Sequence, residues 1–278
     1  MALTVNGLEL PAHISYSAMT TFLECGHKYF LTRVAKVEEH PGWWQVGGNA
    51  VHKASEVWDM AVLTGQEEAL TVDSLWNTYW EAERALVASF TTIPESEWRS
   101  GGRATKEFPN KENPDWWHKN GPKMIEAWIK WRSNGWNILE LQNDDGFSHY
   151  GIELGINTTL GGAVTKMFID RVMVTPEGEV IIVDLKTGAR TPTSDLQLAF
   201  YAAGVEKVFG VRPKWGAYWM ARQETTGGLV DLDLMPTEKI EEMIKMFDTA
   251  RLAGILLPNF SNCNYCSVIN HCEWKGNK

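Results

Sequence analysis

The chain has 278 residues, 44% of them hydrophobic, which is enough for one large domain or a core with an elaborated insert. Its net charge of -9 argues against a general nucleic-acid coat protein, which needs a basic surface. That charge leaves room for an enzyme whose acids bind metal and whose basic residues are local. No run of about 18 or more apolar residues is present, so no membrane helix is expected. The opening "MALTVNGLELPAHISYS" has neither a basic start nor an apolar h-region, so the expectation is a cytoplasmic protein rather than a secreted one.

No internal repeat or low-complexity tract interrupts the chain. Residues 15–34 pattern as a helix: Met19, Phe22, Leu23 and Phe30 recur near helical spacing, and Ser15 or Ser17 can cap the start. A second helix is expected over 47–63, with glycines at its mouth, and a third over 69–90, carrying Leu75, Trp76, Tyr79 and Leu86. From Thr91 the texture changes to Gly, Pro, Asn and charge, which predicts a long loop holding Arg99, Arg103, Lys106, Lys111 and Lys119. Such a loop is either a solvated connection or a flap that contacts substrate. Helix resumes over 122–133, so residues 66–136 read as a helical insert with a long loop.

From Asn137 the period shifts towards two. "NILELQ", "SHYGIELGIN", "VTKMFIDRVMV" and "EVIIVDLK" read as consecutive strands, the last two joined by the turn "PEG" at 176–178. A helix over 194–209, capped by Ser194 or Asp195, comes next, then strands in "KWGAYWMAR" and "GLVDLDL". An amphipathic helix over 236–254 turns Ile240, Met243, Ile244 and Phe247 inward. The tail, 256–278, is irregular. The order predicts a mixed α/β fold, a single domain over 1–278 with a helical N-terminal elaboration. Most of the 14 tryptophans belong in the core or between helices, with a few available to stack on bases.

The stretch "VIIVDLK" ends a run of core residues with Asp184 and Lys186, which share one face because side chains two apart on a strand do. The preceding strand ends its apolar run with Asp170 in "MFIDRV", and a hairpin would bring the two carboxylates together. Two acids that close repel unless a cation lies between them, and carboxylate oxygens suit Mg²⁺ or Mn²⁺. The ordinary alternative is that strand ends are often polar and Asp-Leu-Lys arises by chance.

The order of residues resembles the PD-(D/E)xK nuclease superfamily, and within it the RecB-type exonuclease branch. There a helical histidine comes first, then a strand acid, then (D/E)xK on the next strand, then a Q-x-x-x-Y helix. Here the matching residues are His52 in "GGNAVHKASE", Asp170, the pair Asp184 and Lys186 in "VDLKTG", and Gln197 and Tyr201 in "QLAFY". Glu153 in "YGIELGI" matches an additional acid one strand earlier. The resemblance runs from about residue 15 to residue 272 and leaves 70–136 without a matching motif. It implies a restriction-endonuclease-like core, a central mixed sheet flanked by helices. It also implies hydrolysis of DNA phosphodiesters, on single strands or duplex ends, leaving a 5′-phosphate. His52, Asp170, Asp184, the main-chain carbonyl of Leu185 and Glu153 would hold one or two Mg²⁺ or Mn²⁺ ions. Lys186 would orient water or neutralise charge, and Gln197 and Tyr201 would position the strand or the lysine.

Cys263, Cys266 and Cys272 form C-x2-C-x5-C near the end, and Cys25 stands alone near the start. In a reducing compartment disulfides are the weaker reading. A zinc site completed by His271 or Cys25 is one reading, and free buried thiols another. Some RecB-type members, including the AddB helicase–nuclease subunit and CRISPR-associated exonucleases, carry a [4Fe–4S] cluster with one ligand before the core and three after it. The resemblance therefore implies such a cluster on all four cysteines, stapling the tail to the N-terminal helix. The family usually has Cys-Pro where this sequence has Cys25-Gly26.

Candidate DNA contacts are Arg99, Arg103, Lys106, Lys186 and Arg190, with Arg171 weighed against a structural role beside nearby acids. The implied setting is recombination, repair, phage DNA processing or CRISPR spacer acquisition, with proteins of those pathways as partners and no membrane. Two alternatives stay open. One is a non-catalytic DNA-binding or adaptor protein with a structural zinc or Fe–S site. The other is a structural metal module with an unrelated activity.

Overall fold

The computed structural model describes residues 4–275; residues 1–3 and 276–278, the last including the end of the expected cysteine tail, lie outside the described residues. Ser15 accepts the Ala18 N–H and starts helix α1 (Tyr16–Glu24). The single helix expected over 15–34 is broken at Cys25, which is extended (φ -167°, ψ 112°). A short turn, Gly26–Tyr29, and a wide turn, Phe30–Val34, complete the stretch. The break has a local cause: the Cys25 Sγ acts as a cap, accepting the Lys28 N–H at 3.4 Å.

Helix α2 (Trp43–Thr64) starts earlier than its pattern indicates, so Gly47 and Gly48 lie within it. A Cβ at Gly48 would sit 3.1 Å from the Thr187 Oγ1. The absent side chain therefore lets α2 approach the residue after Lys186 closely, one turn before His52. Helix α3 (Val72–Ser89) is capped by Thr71. Helix α4 (Pro114–Trp131) begins well before residue 122, a correction to the expected loop. Asn113 caps it and Pro114 occupies the first turn, where a missing N–H leaves no bond unmade. Pro122, the apparent boundary, lies inside the helix.

The main sheet has seven strands among the described residues. β1 (Asn137–Ile138) and β2 (Ile152–Leu160) pair antiparallel with one edge of the long β3 (Ala163–Val174). β4 (Val180–Lys186) pairs antiparallel with its other edge, and β5 (Trp215–Met220) runs parallel to β4. Thr225–Thr226 and Val230–Asp231 extend the sheet beyond β5. Leu139 and Gly151 break two of the expected strands, so Glu140–Gln142 and Ser148–Tyr150 form a separate hairpin. Helix α5 (Leu196–Phe209) makes the crossover that the parallel pair requires, and α6 (Thr237–Leu252) packs beside it.

Each sheet face has its own core. One includes Ile182, Leu198, Phe200, Ile244 and Phe247 under α1, α5 and α6. The other gathers Val183, Leu185, Trp80, Trp117, Trp128 and Trp219 under α2 to α4. Each fully buried ring contributes roughly 3 kcal/mol relative to exposure. Along β4, Ile181, Val183 and Leu185 face the tryptophan-rich side and Ile182 the other. By the same alternation Asp184 and Lys186 face α5, so the two-residue period of one strand aims both groups at one helix.

Candidate active site

β3 and β4 stay paired as far as Arg171 and Val183. Beyond that point the Asp170 side chain fills the gap, its Oδ2 accepting the Leu185 N–H at 2.7 Å. The Lys186 Nζ lies 2.6 Å from Asp184 Oδ2 and donates to Gln197 Oε1 at 2.9 Å. The Gln197 Nε2 donates to Asp184 Oδ1 at 2.8 Å and to the Tyr201 hydroxyl at 2.9 Å. Chemistry fixes this amide's orientation, because its carbonyl must face the ammonium and its NH₂ the carboxylate. Gln197 and Tyr201, one turn apart on α5, thus hold the Asp184–Lys186 pair from above.

His52 reaches in from α2, with Nδ1 3.4 Å from Asp170 Oδ1. Glu153 comes from β2, where the ladder passes from Ile152↔Arg171 to Leu154↔Ile169 without pairing it. Its φ of 44° is left-handed, a conformation costing a residue with a Cβ about 1–2 kcal/mol. His52, Glu153 and Asp170 each offer a donor atom within 4.8 Å of the others, the only such trio of metal-ligating side chains among the described residues.

A second polar cluster lies directly behind. Asp59, also on α2, accepts from Arg132 Nε and Arg171 Nε, both at 2.7 Å, and from the Trp128 indole at 3.1 Å. Arg171 also donates to Ser55 Oγ at 3.1 Å, while its Nη1 lies 3.8 Å from Glu153. Arg171 is 1% exposed, so it is a partner for buried acids and not a DNA contact. Asp59 is absent from the sequence-based candidates although its signal is local: it falls seven residues after His52, two turns along the same face.

The charges interlock. Burial, then repulsion from Asp170, pushes the Glu153 carboxyl up to about 7. Burial, again with Asp170, pushes Asp184 up to about 6. Asp170 is held below the usual carboxylate range: burial acts against this, but His52, Arg171 and Lys186 outweigh it. His52 is raised, since burial, which lowers it, is overcome by Asp170 and the other acids. The Tyr201 hydroxyl is pushed up by burial and by Asp184, so it stays a neutral hydrogen-bonding group.

The donor set fits a divalent ion. An imidazole and carboxylate oxygens converge, and the buried Asp184 Oδ2, although beside Lys186, accepts no well-directed hydrogen bond. Oxygen-rich sites of this kind suit Mg²⁺ or Mn²⁺.

The four cysteines are free and half-buried, and all line one cavity of about 220 Å³ between the N-terminal helix and the tail. The Cys25 Sγ accepts the Asn259 N–H at 3.2 Å, and the Asn259 side chain donates to the Glu24 carbonyl at 2.8 Å. Burial, with smaller contributions from the other three cysteines, raises the Cys272 thiol. A Cβ at Gly26 would lie 2.8 Å from the backbone of Leu256 and Leu257. The tail's close passage therefore explains a glycine after Cys25, since proline would bring that same Cβ.

The candidate DNA contacts differ in their surroundings. Arg99 donates to the His40 carbonyl at 3.0 Å and lies over the Trp44 ring. Arg103, Lys106 and Arg190 are exposed. Among the described residues, no helix is long and apolar enough to cross a membrane.

A crystal structure of a presumptive exonuclease from Eubacterium rectale aligns with 96% of this chain and 90% of its own, at 11% identity and a TM-score of 0.47. The chain is 28% identical over 296 residues to the Gene 69 protein of Mycobacterium phage L5, covering 93% of this chain and 95% of that one. It is 27% identical over 291 residues to the Gene 69 protein of Mycobacterium phage D29, covering 95% and 97%. The sequence profile of the PD-(D/E)XK nuclease superfamily matches residues 13–273. The chain therefore belongs to the PD-(D/E)XK nuclease superfamily, a group of phosphodiester hydrolases that use divalent metals.

Proposed function

We propose that this protein is a metal-dependent deoxyribonuclease of RecB type, an exonuclease acting on single-stranded DNA or duplex ends. The observation that carries the reading is the bonded chain Leu185 N–H to Asp170, and Asp184 to Lys186 to Gln197 to Tyr201. The two Gene 69 relatives are phage proteins, which favours processing of phage DNA ends in recombination or repair.

His52, Glu153, Asp170 and Asp184, with the Leu185 carbonyl, are the groups that would hold the metal. When bound, it supplies charge neutralisation at the phosphate and a more acidic attacking water. The protein's own residues do the rest. Lys186, pinned between Asp184 and Gln197, orients the water and neutralises charge that develops on the phosphate oxygens. Asp170 fixes the Leu185 backbone. Gln197 sets the Asp184–Lys186 spacing, and the neutral Tyr201 hydroxyl sets Gln197.

The cysteine cavity supports a [4Fe–4S] cluster over zinc. Zinc–sulfur bonds of about 2.3 Å require thiolates ~3.8 Å apart. Yet among the described residues only His52, Glu153 and Asp170 gather within 4.8 Å as a set of three. A cluster of four irons keeps its four ligands wider, and the amide donors onto Cys25 Sγ suit cluster sulfurs. Its role would be to staple the tail to α1.

The test is degradation of end-labelled linear DNA by anaerobically purified protein with Mg²⁺ or Mn²⁺, beside Asp184→Ala and Lys186→Ala. Wild type should cut and both variants should not. An inert wild type, or variants that cut equally well, would leave the non-catalytic binding protein as the better reading. Iron and zinc analysis with visible absorption of the same sample decides the cysteine site: four irons and sulfide per chain for the cluster, one zinc otherwise.

A further inference from the structure

The insert loop, exposed over residues 102–107, is tied down on either side. The Arg99 N–H bonds the Pro41 carbonyl, and Gly101 bridges to Glu112. Glu112 receives both arms of Arg222, at 2.7 and 3.0 Å, and Arg222 also donates from Nε to the Thr187 carbonyl at 2.7 Å. The same guanidinium lies 4.5 Å over the Trp116 ring. One arginine therefore latches the insert to the backbone immediately after Lys186.

Between the two latched segments runs a groove of about 830 Å³. Trp44, Gly102, Arg103, Thr187 and Arg190 are among the residues that line it. The chain has ten arginines. Eight make hydrogen bonds or ion pairs; Arg103 and Arg190 make neither among the described residues. Both of these unpaired cations line this one groove, from two separate segments of a chain whose net charge is -9. Another depression, of about 670 Å³, carries Glu38 and Glu39 beside Lys36 and Arg99, so its formal charges cancel.

We propose that this groove guides a single strand of DNA to the Asp184–Lys186 pair, with Arg103 and Arg190 each holding one backbone phosphate. The Arg222–Glu112 latch fixes the width between them. The inference rests on the nuclease reading and adds strandedness and path. Two unpaired cations and an aromatic ring, Trp44, lining one groove suit a single flexible strand, whose phosphates and bases they can each take.

The test is fluorescence anisotropy of labelled oligo(dT) without divalent ions, across a salt series, for the as-isolated protein. Arg103→Ala/Arg190→Ala is compared with wild type and with Arg84→Ala, a remote surface control. Each lost phosphate contact should flatten the slope of log K against log salt by about 0.7, so the double variant should lose about 1.4. The control should match wild type, the melting temperature should not move, and a blunt duplex of equal length should bind more weakly. An unchanged slope, or equal binding of duplex, overturns the groove. If wild type then still cuts DNA with Mg²⁺, only the groove has failed. If wild type neither binds nor cuts, the nuclease reading fails and the groove with it.

Discussion

Two acidic clusters each take one residue from helix α2, Asp59 in one and His52 in the other, and their difference separates a supporting carboxylate from a working one. Asp59 has both oxygens bonded, to Arg132, Arg171 and Trp128, and its side chain is closed to solvent. Asp184 is equally buried but keeps one oxygen without a well-directed donor. Glu153 is held in left-handed backbone and pushed up to about 7. A buried acid whose bonds are complete stabilises its surroundings. One with an oxygen left open can take a further ligand there, and His52, which faces the open acids, lies two helical turns before Asp59.

The comparison breaks if the two acids respond alike to mutation. Asp184→Asn should lower DNA cleavage by about 10³-fold or more, since it removes a group that acts on the reacting centre. Its melting temperature should hold or rise, because a buried charge is removed. Asp59→Ala should do the reverse. It leaves Arg132 and Arg171 buried without their counterion and should destabilise by about 3–5 kcal/mol, read by urea unfolding. Cleavage by the folded fraction at low temperature should stay within a few-fold of wild type. Loss of activity in folded Asp59→Ala would move that acid into the working set.

Much of the working set is legible in the sequence because its residues obey local periods. Asp184 and Lys186 are two apart on a strand, and Gln197 and Tyr201 are four apart on a helix. Glu153 is found by its place in a motif, but nothing in "YGIELGI" signals its left-handed backbone. The break at Cys25 is hidden because an apolar helical period runs through it, and a cysteine whose Sγ accepts the Lys28 N–H is not an ordinary cap signal. The Arg222–Glu112 latch spans 110 residues, and no local period reaches that far. Helix α4 looks shorter in the sequence because Pro122 resembles a boundary, while Asn113-Pro114, a cap and a first-turn proline, carries the true one.

A titration sharpens the contrast. Glu153 and Asp184 have folded values near 7 and 6, above the ordinary 4.5 and 3.8. The folded protein therefore binds more protons than the unfolded chain between roughly pH 4 and 7. Their contribution to stability is complete below that window and lost as pH rises through it. His52, raised, acts in the same direction; Asp170, lowered, contributes above its unfolded value and loses that only in stronger acid. Metal-free protein should therefore become less stable by a few kcal/mol between about pH 5 and pH 8, read by urea unfolding across that interval. Mn²⁺ must displace those protons, so the melting temperature it adds should grow over the same interval. A metal-induced gain that is flat with pH would remove these acids from the ligand set.

The smallest effect tests the strain at Glu153 alone. Glu153→Asn keeps a polar side chain but carries no charge, and asparagine adopts left-handed backbone more readily than glutamate. The variant relieves both the conformational cost and the burial of a carboxyl group. In metal-free protein at pH 8 it should therefore gain about 1 kcal/mol, read as a rise of a few degrees in melting temperature. With Mn²⁺ present the order should invert, since wild type gains a ligand interaction that the variant lacks. Cleavage should fall while the affinity for oligo(dT), measured without metal, stays unchanged. A variant less stable than wild type in the metal-free state would show that Glu153 is held by its contact with Arg171 and not merely tolerated for the sake of the site.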